Sequence, residues 1–494
     1  THKPKMNDSR VAISDQVLVH RILTPLTLYA NGKFRWSESD GQRWLSLERD
    51  LIGFTAEGAE ISMSIAVESR DGLFCCGRGA LETKQFVFEP LSDESKQLWC
   101  RKLDEFVVSL GRPKRLFIFV NPYGGKKSAS KIFHDDVKPL LVHAQIGFTV
   151  QETKHQLHAK EIVSSLDLSN YDGVLCISGD GVLVEVVNGL LEREDWEAAI
   201  KTPIGIIPAG TGNGMIKSLL DSVGDSCTAF NAALAIIRGH KCSLDVSTIS
   251  QGKTRFFSVL MLAWGLVADI DIESEKFRWM GSARFDFYAL QRVLYLRKYE
   301  GSVYFVPAPG FETLGELSSQ ESRSIDELHI WNPNHDNHGK RQLCGYGGPN
   351  HRFENLEWRS ISGPFVSIWL QNVPWGSENT KAAPDAKLSD GCLDLIIIRH
   401  CPKLALLGLL MQLDRGTHVK SPYVMYIKVK AFALKPGPRM GEERKGGIVD
   451  VDGEVVAKGE GVWKSQQKCA MAYGPLQVTI DPGLATLFAP MPPP

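Results

Sequence analysis

Three short apolar segments, each followed by a glycine-rich loop, decide the fold of the first half of the chain: Leu116-Phe-Ile-Phe-Val120 leads into Asn121-Pro-Tyr-Gly-Gly-Lys126, Val174-Leu-Cys-Ile177 into Ser178-Gly-Asp-Gly181, and Ile204-Gly-Ile-Ile207 into Pro208-Ala-Gly-Thr-Gly-Asn-Gly214. Continuous apolar runs of this length are typical of strands buried on both faces. Helical patterns follow the second and third loops. The repeat of strand, loop and helix predicts a parallel sheet with crossover helices. Ligands bind such sheets at the carboxyl ends of the strands, where the three loops would meet.

The composition describes a globular protein and excludes several other classes. The chain has 494 residues, of which 43% are hydrophobic and 23% charged, so a fully disordered chain, a collagen or a coiled-coil fibre is excluded. With 56 basic and 57 acidic side chains, it has no overall charge to attract nucleic acid, and we expect no nucleic-acid partner. No apolar run reaches the roughly 18 residues of a membrane-spanning helix. The start lacks a signal-peptide core and the ten cysteines show no CxxC pair, which favours a cytoplasmic location.

The periodicity divides the chain into three parts. Residues 1–111 show short strand patterns and then a helical pattern from Asp93 to Leu110, which predicts a small β-barrel region like a pleckstrin-homology (PH) domain; an α+β extension of the next domain is the alternative. Residues 112–241 form the α/β domain. Residues 242–494 predict an antiparallel β-sandwich, with a polar insertion at 307–363 and an apolar helix from Pro402 to Leu413.

The glycine loops predict a phosphate-binding site. Glycine lets backbone N–H groups approach phosphate oxygens, and a helix that starts behind the loop adds partial positive charge. Common alternatives fail: Gly125-Lys126 lacks the Walker A spacing, the protein-kinase motifs are absent, and no loop completes GxGxxG with a downstream acid. Asp180 stands between two glycines, where it could accept a proton, hold Mg²⁺ or simply cap the following helix.

Several motifs together resemble a known family. Asn121-Pro-Tyr-Gly-Gly-Lys126, Ser178-Gly-Asp-Gly181 with Glu185-Val-Val-Asn-Gly189, and Gly210-Thr-Gly-Asn213 resemble the diacylglycerol kinase catalytic superfamily. The stretch from Ala263 to Arg278, the segment Gly281-Ser-Ala-Arg284 and the turn Val451-Asp-Gly-Glu454 resemble the sphingosine (long-chain base) kinases, and the N-terminal part resembles their plant members.

This resemblance implies a lipid kinase that uses ATP and Mg²⁺ to phosphorylate the primary hydroxyl of a sphingoid base, giving lipids of the sphingosine 1-phosphate type. It also implies an ATP-binding α/β domain, a lipid-binding β-sandwich and peripheral association with intracellular membranes. A diacylglycerol or ceramide kinase of the same superfamily is one alternative, and a catalytically silent lipid-binding scaffold is another.

By the family pattern, Asp180 is the catalytic base and Asp271 recognises the head group of the base, with Ser178, Gly179 and Gly181 beside the substrate. No protein ligand for the metal is assigned. The residues expected around the nucleotide are Asn121, Pro122, Gly124, Gly125, Lys126, Thr153, Ser178, Gly179, Gly181, Glu185, Gly210, Thr211, Gly212, Asn213, Asp245, Arg278, Arg284, Asp452, Gly453 and Glu454. The chain departs from the animal-type pattern at Tyr123, where arginine is usual, and at Leu157, where asparagine is usual.

Two further patterns yield predictions from the residues themselves. Asp269, Asp271, Glu273 and Glu275 alternate with isoleucines, so an extended segment would carry four carboxylates on one face. Such a face suits the ammonium of a sphingoid base, although a solvated strand edge would look the same. Phe287, Leu290 and Leu294 share one helical face with Arg292 and Arg297 nearby, which fits either a membrane-facing patch or an ordinary core-facing helix.

Overall fold

The structure is a computed structural model that describes residues 10–38, 41–68, 81–125, 127–317, 345–349, 357–462 and 468–492. Lys126 and most of the polar insertion predicted at 307–363 lie outside these residues. No helix within the described ranges has both the length and the apolar character that crossing a membrane requires.

The N-terminal part is an antiparallel sheet with one long helix. Its elements are β1 (Val11–Val19), β2 (Ile22–Tyr29), β3 (Lys33–Glu38), β4 (Gly41–Ser46), α1 (Leu47–Asp50), β5 (Leu51–Glu57), β6 (Glu60–Glu68), β7 (Leu81–Pro90) and α2 (Asp93–Ser109). The strand order is β4-β3-β2-β1-β7-β6-β5. Helix α2 begins where the Ser92 hydroxyl accepts a hydrogen bond from the Ser95 N–H, and it packs Trp99 and Leu103 into the apolar core of the sheet.

Two details of this part differ from the sequence expectation. The residue pattern from Val17 to Ile22 predicts one continuous strand, but His20 and Arg21 adopt positive φ values and form the turn between β1 and β2. Strand β5 was not predicted, since its first half is buried and its second half exposed, without the alternation that marks a strand.

The middle part contains four parallel strands. Its elements are β8 (Arg115–Val120), α3 (Ala129–Ile132), α4 (Lys138–His143), β9 (Gly147–Glu152), α5 (His158–Val163), β10 (Gly173–Ser178), α6 (Asp180–Leu191), α7 (Trp196–Ala199), β11 (Ile204–Pro208), α8 (Gly214–Asp221) and α9 (Ala229–Arg238). A π-helical turn (Phe133–Val137) joins α3 to α4, and a 3-10 turn (Leu168–Asn170) precedes β10. The strands pair in the order β9-β8-β10-β11, all parallel, so the three glycine loops leave the same edge.

The last part is mostly antiparallel. Its elements are β12 (Lys241–Gln251), β13 (Thr254–Ser258), β14 (Met261–Gly265), α10 (Leu266–Glu273), α11 (Ala283–Leu294), β15 (Tyr299–Pro307), β16 (Glu316–Leu317), β17 (Arg359–Ser362), β18 (Ser367–Gln371), β19 (Leu393–Ile398), α12 (Lys403–Leu410), β20 (Met425–Arg439), β21 (Ile448–Val451), β22 (Glu454–Lys458) and β23 (Leu476–Phe488), with 3-10 segments at Ser274–Met280 and Thr417–Lys420. Trp264, Tyr299, Phe305, Phe365 and Phe432 belong to the apolar core of this β-sandwich domain.

The parallel and antiparallel strands belong to one mixed sheet. Strand β23 pairs in parallel with β11 at Ile204 and Leu487, and antiparallel with β12 and β20. The last strand of the chain therefore connects the α/β layer directly to the sandwich, a long-range pairing that local sequence patterns do not reveal.

The acidic segment predicted to be extended is a helix, so that prediction was wrong. Gly265 ends β14 with a φ of +90°, which starts α10 at Leu266, and the 3-10 segment continues it through Glu275. On a helix, residues four apart share a face. The four acids therefore separate into two pairs, Asp269 with Glu273 and Asp271 with Glu275.

Candidate active site

A cavity of about 740 Å³ lies at the carboxyl ends of the parallel strands and extends beneath α10 and α11. Most of the predicted site residues line it: Asn121, Gly124, Gly125, Thr153, Gly179, Asp180, Gly181, Glu185, Gly210, Thr211, Gly212, Asp271, Arg278, Arg284, Asp452, Gly453 and Glu454. This cavity, called the chamber below, is lined by both the glycine loops and the acidic helix. Asp180 and Ile270, which both line it, are 90 residues apart in sequence.

The three glycine loops touch one another through their backbones. A Cβ on Gly210 would lie 2.2 Å from the Gly179 Cα, and a Cβ on Gly125 would lie 2.8 Å from the Gly210 carbonyl carbon. Gly125 also has a φ of +53°, a conformation that favours glycine. These positions require glycine because each neighbouring atom belongs to the backbone and cannot rotate away.

Asp180 begins α6 and also caps a different helix. Its Oδ2 accepts a hydrogen bond from the Gly214 N–H at 2.8 Å, and its Oδ1 accepts one from the Met215 N–H at 3.1 Å, both at the start of α8. Burial raises the pKa of this carboxyl, while the two N–H groups oppose the rise. The cap considered from the sequence was for α6, the helix that follows, but the side chain caps α8 instead. This cap is compatible with a catalytic role, because it fixes the carboxylate at the cavity wall.

Ser178 and Asn213 shape the loops but do not line the cavity. The Ser178 hydroxyl donates to the Gly179 carbonyl at 2.7 Å. Asn213 is buried in a left-handed conformation; its Oδ1 accepts from the Gly210 N–H at 3.0 Å, and its Nδ2 donates to Glu378 at 2.5 Å. Ser178 thus makes a contact within the second loop, and Asn213 holds the third loop.

Glu185 and Glu454 position the segment after β9. The Glu185 carboxylate accepts from the Leu157 N–H at 2.9 Å and the Ala159 N–H at 3.0 Å, which stabilises the left-handed Leu157 before α5. Glu454 accepts from the Gln156 side chain at 2.7 Å. Burial raises the pKa of both carboxyls. Because Thr153 lines the cavity on the same segment, these two acids define one wall of it.

Asp452 is engaged by the loop between β13 and β14. Its carboxylate accepts from the Val259, Leu260 and Met261 N–H groups at 2.7–3.0 Å and from the Ser258 hydroxyl at 2.9 Å. Burial raises the pKa of Asp452 to about 6, although these hydrogen bonds act in the opposite direction. Asp452 therefore anchors that loop, and its backbone neighbour Gly453 forms part of the cavity lining.

Two arginines line the cavity, and they differ in burial and in their partners. Arg284 is buried, lies over the Phe285 ring at 4.5 Å, and its Nε and Nη1 have no hydrogen-bond partner within the described residues. Arg278 is largely exposed and contacts Glu275 at 3.3 Å. Buried N–H donors without partners are unfavourable, so the Arg284 guanidinium is a candidate anion-binding group.

The two acid pairs of α10 have different surroundings. Asp271 lines the cavity, and its carboxyl group interacts with that of the buried Asp450. Asp269 and Glu273 face away from it and both bind Arg297, at 3.2 and 2.9 Å. Burial raises the pKa of Asp269 to about 6. The second pair is thus part of a buried ion cluster and not of the chamber.

Two further predicted nucleotide residues, in addition to Ser178 and Asn213, lie outside the chamber lining. Asp245 is fully buried, and its carboxylate accepts from the Gly391 N–H at 2.7 Å and the Gly483 N–H at 2.6 Å, so it ties two turns of the sandwich together. Pro122 likewise does not line the cavity.

Sequence reasoning missed a second set of lining residues, which come from the turn after β18 and from the region of α12. These are Trp369, Gly376, Ser377, Thr380, Leu410 and Leu413. The small polar residues after Trp375 could have indicated a binding site, since they form a polar turn that follows the buried strand containing Trp369. Leu410 and Leu413 carry no such signal, because an apolar helix packs equally well in any core.

The apolar residues of the patch predicted on α11 are exposed, but the two arginines predicted beside them are not free to contact a surface. Phe287, Leu290 and Leu294 are each about half exposed, and Trp279 is 82% exposed. Arg292 is buried and Arg297 binds the two acids of α10, so neither is available to a membrane surface.

One group of possible metal ligands occurs in the described part of the chain: His155, His158 and Glu161, at the cavity rim. Mg²⁺ prefers oxygen ligands, so this histidine-rich group does not suit it. Glu454 and the oxygens of a bound phosphate suit it better.

The comparisons with known proteins agree with this architecture. Residues 115–249 match the diacylglycerol kinase catalytic domain, and residues 359–466 match the YegS C-terminal NAD kinase beta sandwich-like domain. The glycine loops, the cavity and the sandwich thus define a member of the diacylglycerol kinase superfamily.

Full-length relatives narrow this class. The chain is 59% identical to sphingosine kinase 1 of Arabidopsis thaliana over 98% of this chain and 97% of that protein. It is 34% identical to human sphingosine kinase 1 over 70% of this chain and 87% of that protein. It is 33% identical to human ceramide kinase over 70% of this chain and 67% of that protein. The chain belongs to the sphingosine kinase family and is a lipid kinase.

Proposed function

We propose that this kinase transfers the γ-phosphate of ATP to the primary hydroxyl of a sphingoid base, with Asp180 as the general base. The observation that carries the proposal is the single chamber that holds Asp180 between the glycine loops and Asp271. A carboxylate fixed by two backbone N–H groups can accept the hydroxyl proton as the oxygen attacks phosphorus. The relatives support the choice of substrate, since the whole-chain match is to a sphingosine kinase.

The phosphates of ATP would lie along the touching loops at Gly125, Gly179 and Gly210, where backbone N–H groups are accessible without a Cβ. Arg284 would contact the transferred phosphate, which would supply acceptors for its buried N–H donors. Mg²⁺, when bound, would neutralise phosphate charge, and Glu454 would hold it.

Asp271 would bind the ammonium group of the base, and the far end of the chamber would hold the alkyl chain. The lining of the chamber includes the apolar residues Val267, Ile270, Phe285 and Leu413. A carboxylate beside the reacting hydroxyl favours a cationic base over ceramide or diacylglycerol, which carry no ammonium.

We also propose that Phe287, Leu290, Leu294 and Trp279 insert into a membrane surface while substrate is taken up. They lie on or next to α11, whose Ala289 lines the chamber, so the exposed apolar face and the chamber are separated by one helix.

For the remaining architecture we propose a PH-like barrel for residues 1–111 and domain boundaries at 111/112 and 241/242. The end of α2 at Ser109 and the start of β12 at Lys241 support these boundaries.

The experiment is Asp180→Asn, assayed with labelled ATP and sphingosine. We expect turnover to fall at least ~100-fold, the usual contribution of general base catalysis, while ATP binding measured by calorimetry stays intact. Asparagine keeps one acceptor for the start of α8, so the fold should persist. Turnover near the wild-type value would show that Asp180 is not the base.

A further inference from the structure

Asp450 is a buried acid that the mechanism above does not use. It lies on β21, between Ile448 and Asp452, and alternate residues of a strand share a face. Both of these neighbours line the chamber, whereas Asp450 is fully buried. Helix α10 packs on β21, and its Asp271, which lines the chamber, interacts with Asp450.

The contact between these two acids requires a proton. Their carboxyl groups interact with each other, and two ionised carboxylates would repel. Asp450 is fully buried, and neither of its carboxyl oxygens has a hydrogen-bond partner within the described residues. A buried carboxylate without a donor is unfavourable when it is ionised, so one of the two acids carries a proton.

The surroundings identify Asp450 as the donor. Burial and the neighbouring Asp271 and Asp452 carboxylates raise the pKa of Asp450 well above its ordinary value. Burial and Glu275 also raise the pKa of Asp271, but Asp450 as a hydrogen-bond donor and the Arg284 guanidinium both lower it. The proton therefore resides on Asp450 and the negative charge on Asp271.

We propose that protonated Asp450 donates a hydrogen bond to Asp271 and thereby keeps that carboxylate ionised and aimed into the chamber to bind the ammonium of the substrate. Asp450 is then a positioning residue for head-group recognition. This inference rests on the proposed role of Asp271 in binding the base.

The test compares Asp450→Leu with Asp450→Asn, using kcat and KM for sphingosine as a function of pH. Leucine removes the donor, so Asp271 should become protonated at higher pH. In the pH profile of kcat/KM, the fall on the acidic side should then occur at a pH about one unit higher, with a raised KM and a nearly unchanged kcat. Asparagine is the matched control, because its amide N–H can donate to the same oxygen and should keep the wild-type limb.

A second measurement does not depend on the leucine variant folding. Infrared difference spectra of wild type against Asp450→Asn at neutral pH should contain the C=O band of a protonated carboxylic acid. A spectrum without that band overturns the proposal, as does a leucine variant with the wild-type limb or an asparagine variant that shifts equally far.

Asp271→Asn separates this inference from the proposed function. If that variant binds sphingosine as well as wild type, the ammonium role of Asp271 is wrong. If it loses affinity while Asp450→Leu keeps the wild-type limb, only the role of Asp450 is wrong.

Discussion

Replacing Gly210 by alanine tests the contact between the glycine loops. The new Cβ would lie 2.7 Å from the Gly179 N and 2.2 Å from the Gly179 Cα, the second distance being more than 1 Å shorter than ordinary contact, and both atoms belong to the backbone. Overpacking of this kind costs about 1–3 kcal/mol. Separating the loops by about 1 Å also displaces the phosphate-binding N–H groups, which can reduce the rate on the order of 100-fold.

Gly181→Ala is the matched control, two residues after Gly179. A Cβ there meets nothing within 4 Å, and alanine favours the helix by up to about 1 kcal/mol. The urea concentration at the midpoint of unfolding, measured without nucleotide, should therefore be lower in Gly210→Ala than in wild type. The rise in melting temperature on adding ATP should also be smaller. Gly181→Ala should unfold at the same urea concentration as wild type or at a higher one. Equal stability and an equal ATP effect in both variants would refute the argument that backbone contact requires glycine.

Three further predictions concern the acid pairs and the exposed helix face. Asp271→Asn should weaken sphingosine binding by ~2–5 kcal/mol, measured as KM, because it removes a buried charge partner, and it should leave any activity on neutral lipid unchanged. Phe287→Gln with Leu290→Gln should lower liposome association while activity in detergent survives; equal loss in both assays would point to a damaged fold instead. Asp269 has a pKa of about 6 in the folded protein against 3.8 ordinarily, so the folded state binds more protons between these values and stability falls as pH rises through them. Urea unfolding should show this loss, up to about 3 kcal/mol, in wild type and a flatter profile in Asp269→Asn; identical profiles would contradict it.

The α/β half was predictable because its signal is local. The apolar runs at 116–120, 174–177 and 204–207 fall within β8, β10 and β11, and the glycine motifs follow each strand directly. Parallel pairing then places all three loops at one edge, so Asp180 and Gly210 could be assigned to one site without knowledge of distant contacts.

The acidic segment was not predictable in the same way. Alternating acids and isoleucines from Asp269 fit both a strand and a short helix, and what decides is the packing of α10 against α11 and the strands β14, β18 and β21. The same limit applies to Asp450 and Asp245. Their roles depend on partners more than 100 residues away, Asp271 for one and Gly391 and Gly483 for the other.

The most direct test of the central claim is one assay of the full chain with labelled ATP against sphingosine, phytosphingosine, ceramide and diacylglycerol, each presented in the same detergent. We expect phosphorylation of the two cationic bases, and strong loss of that activity in Asp271→Asn. Preferred phosphorylation of ceramide or diacylglycerol, or base phosphorylation that is indifferent to Asp271→Asn, would contradict it.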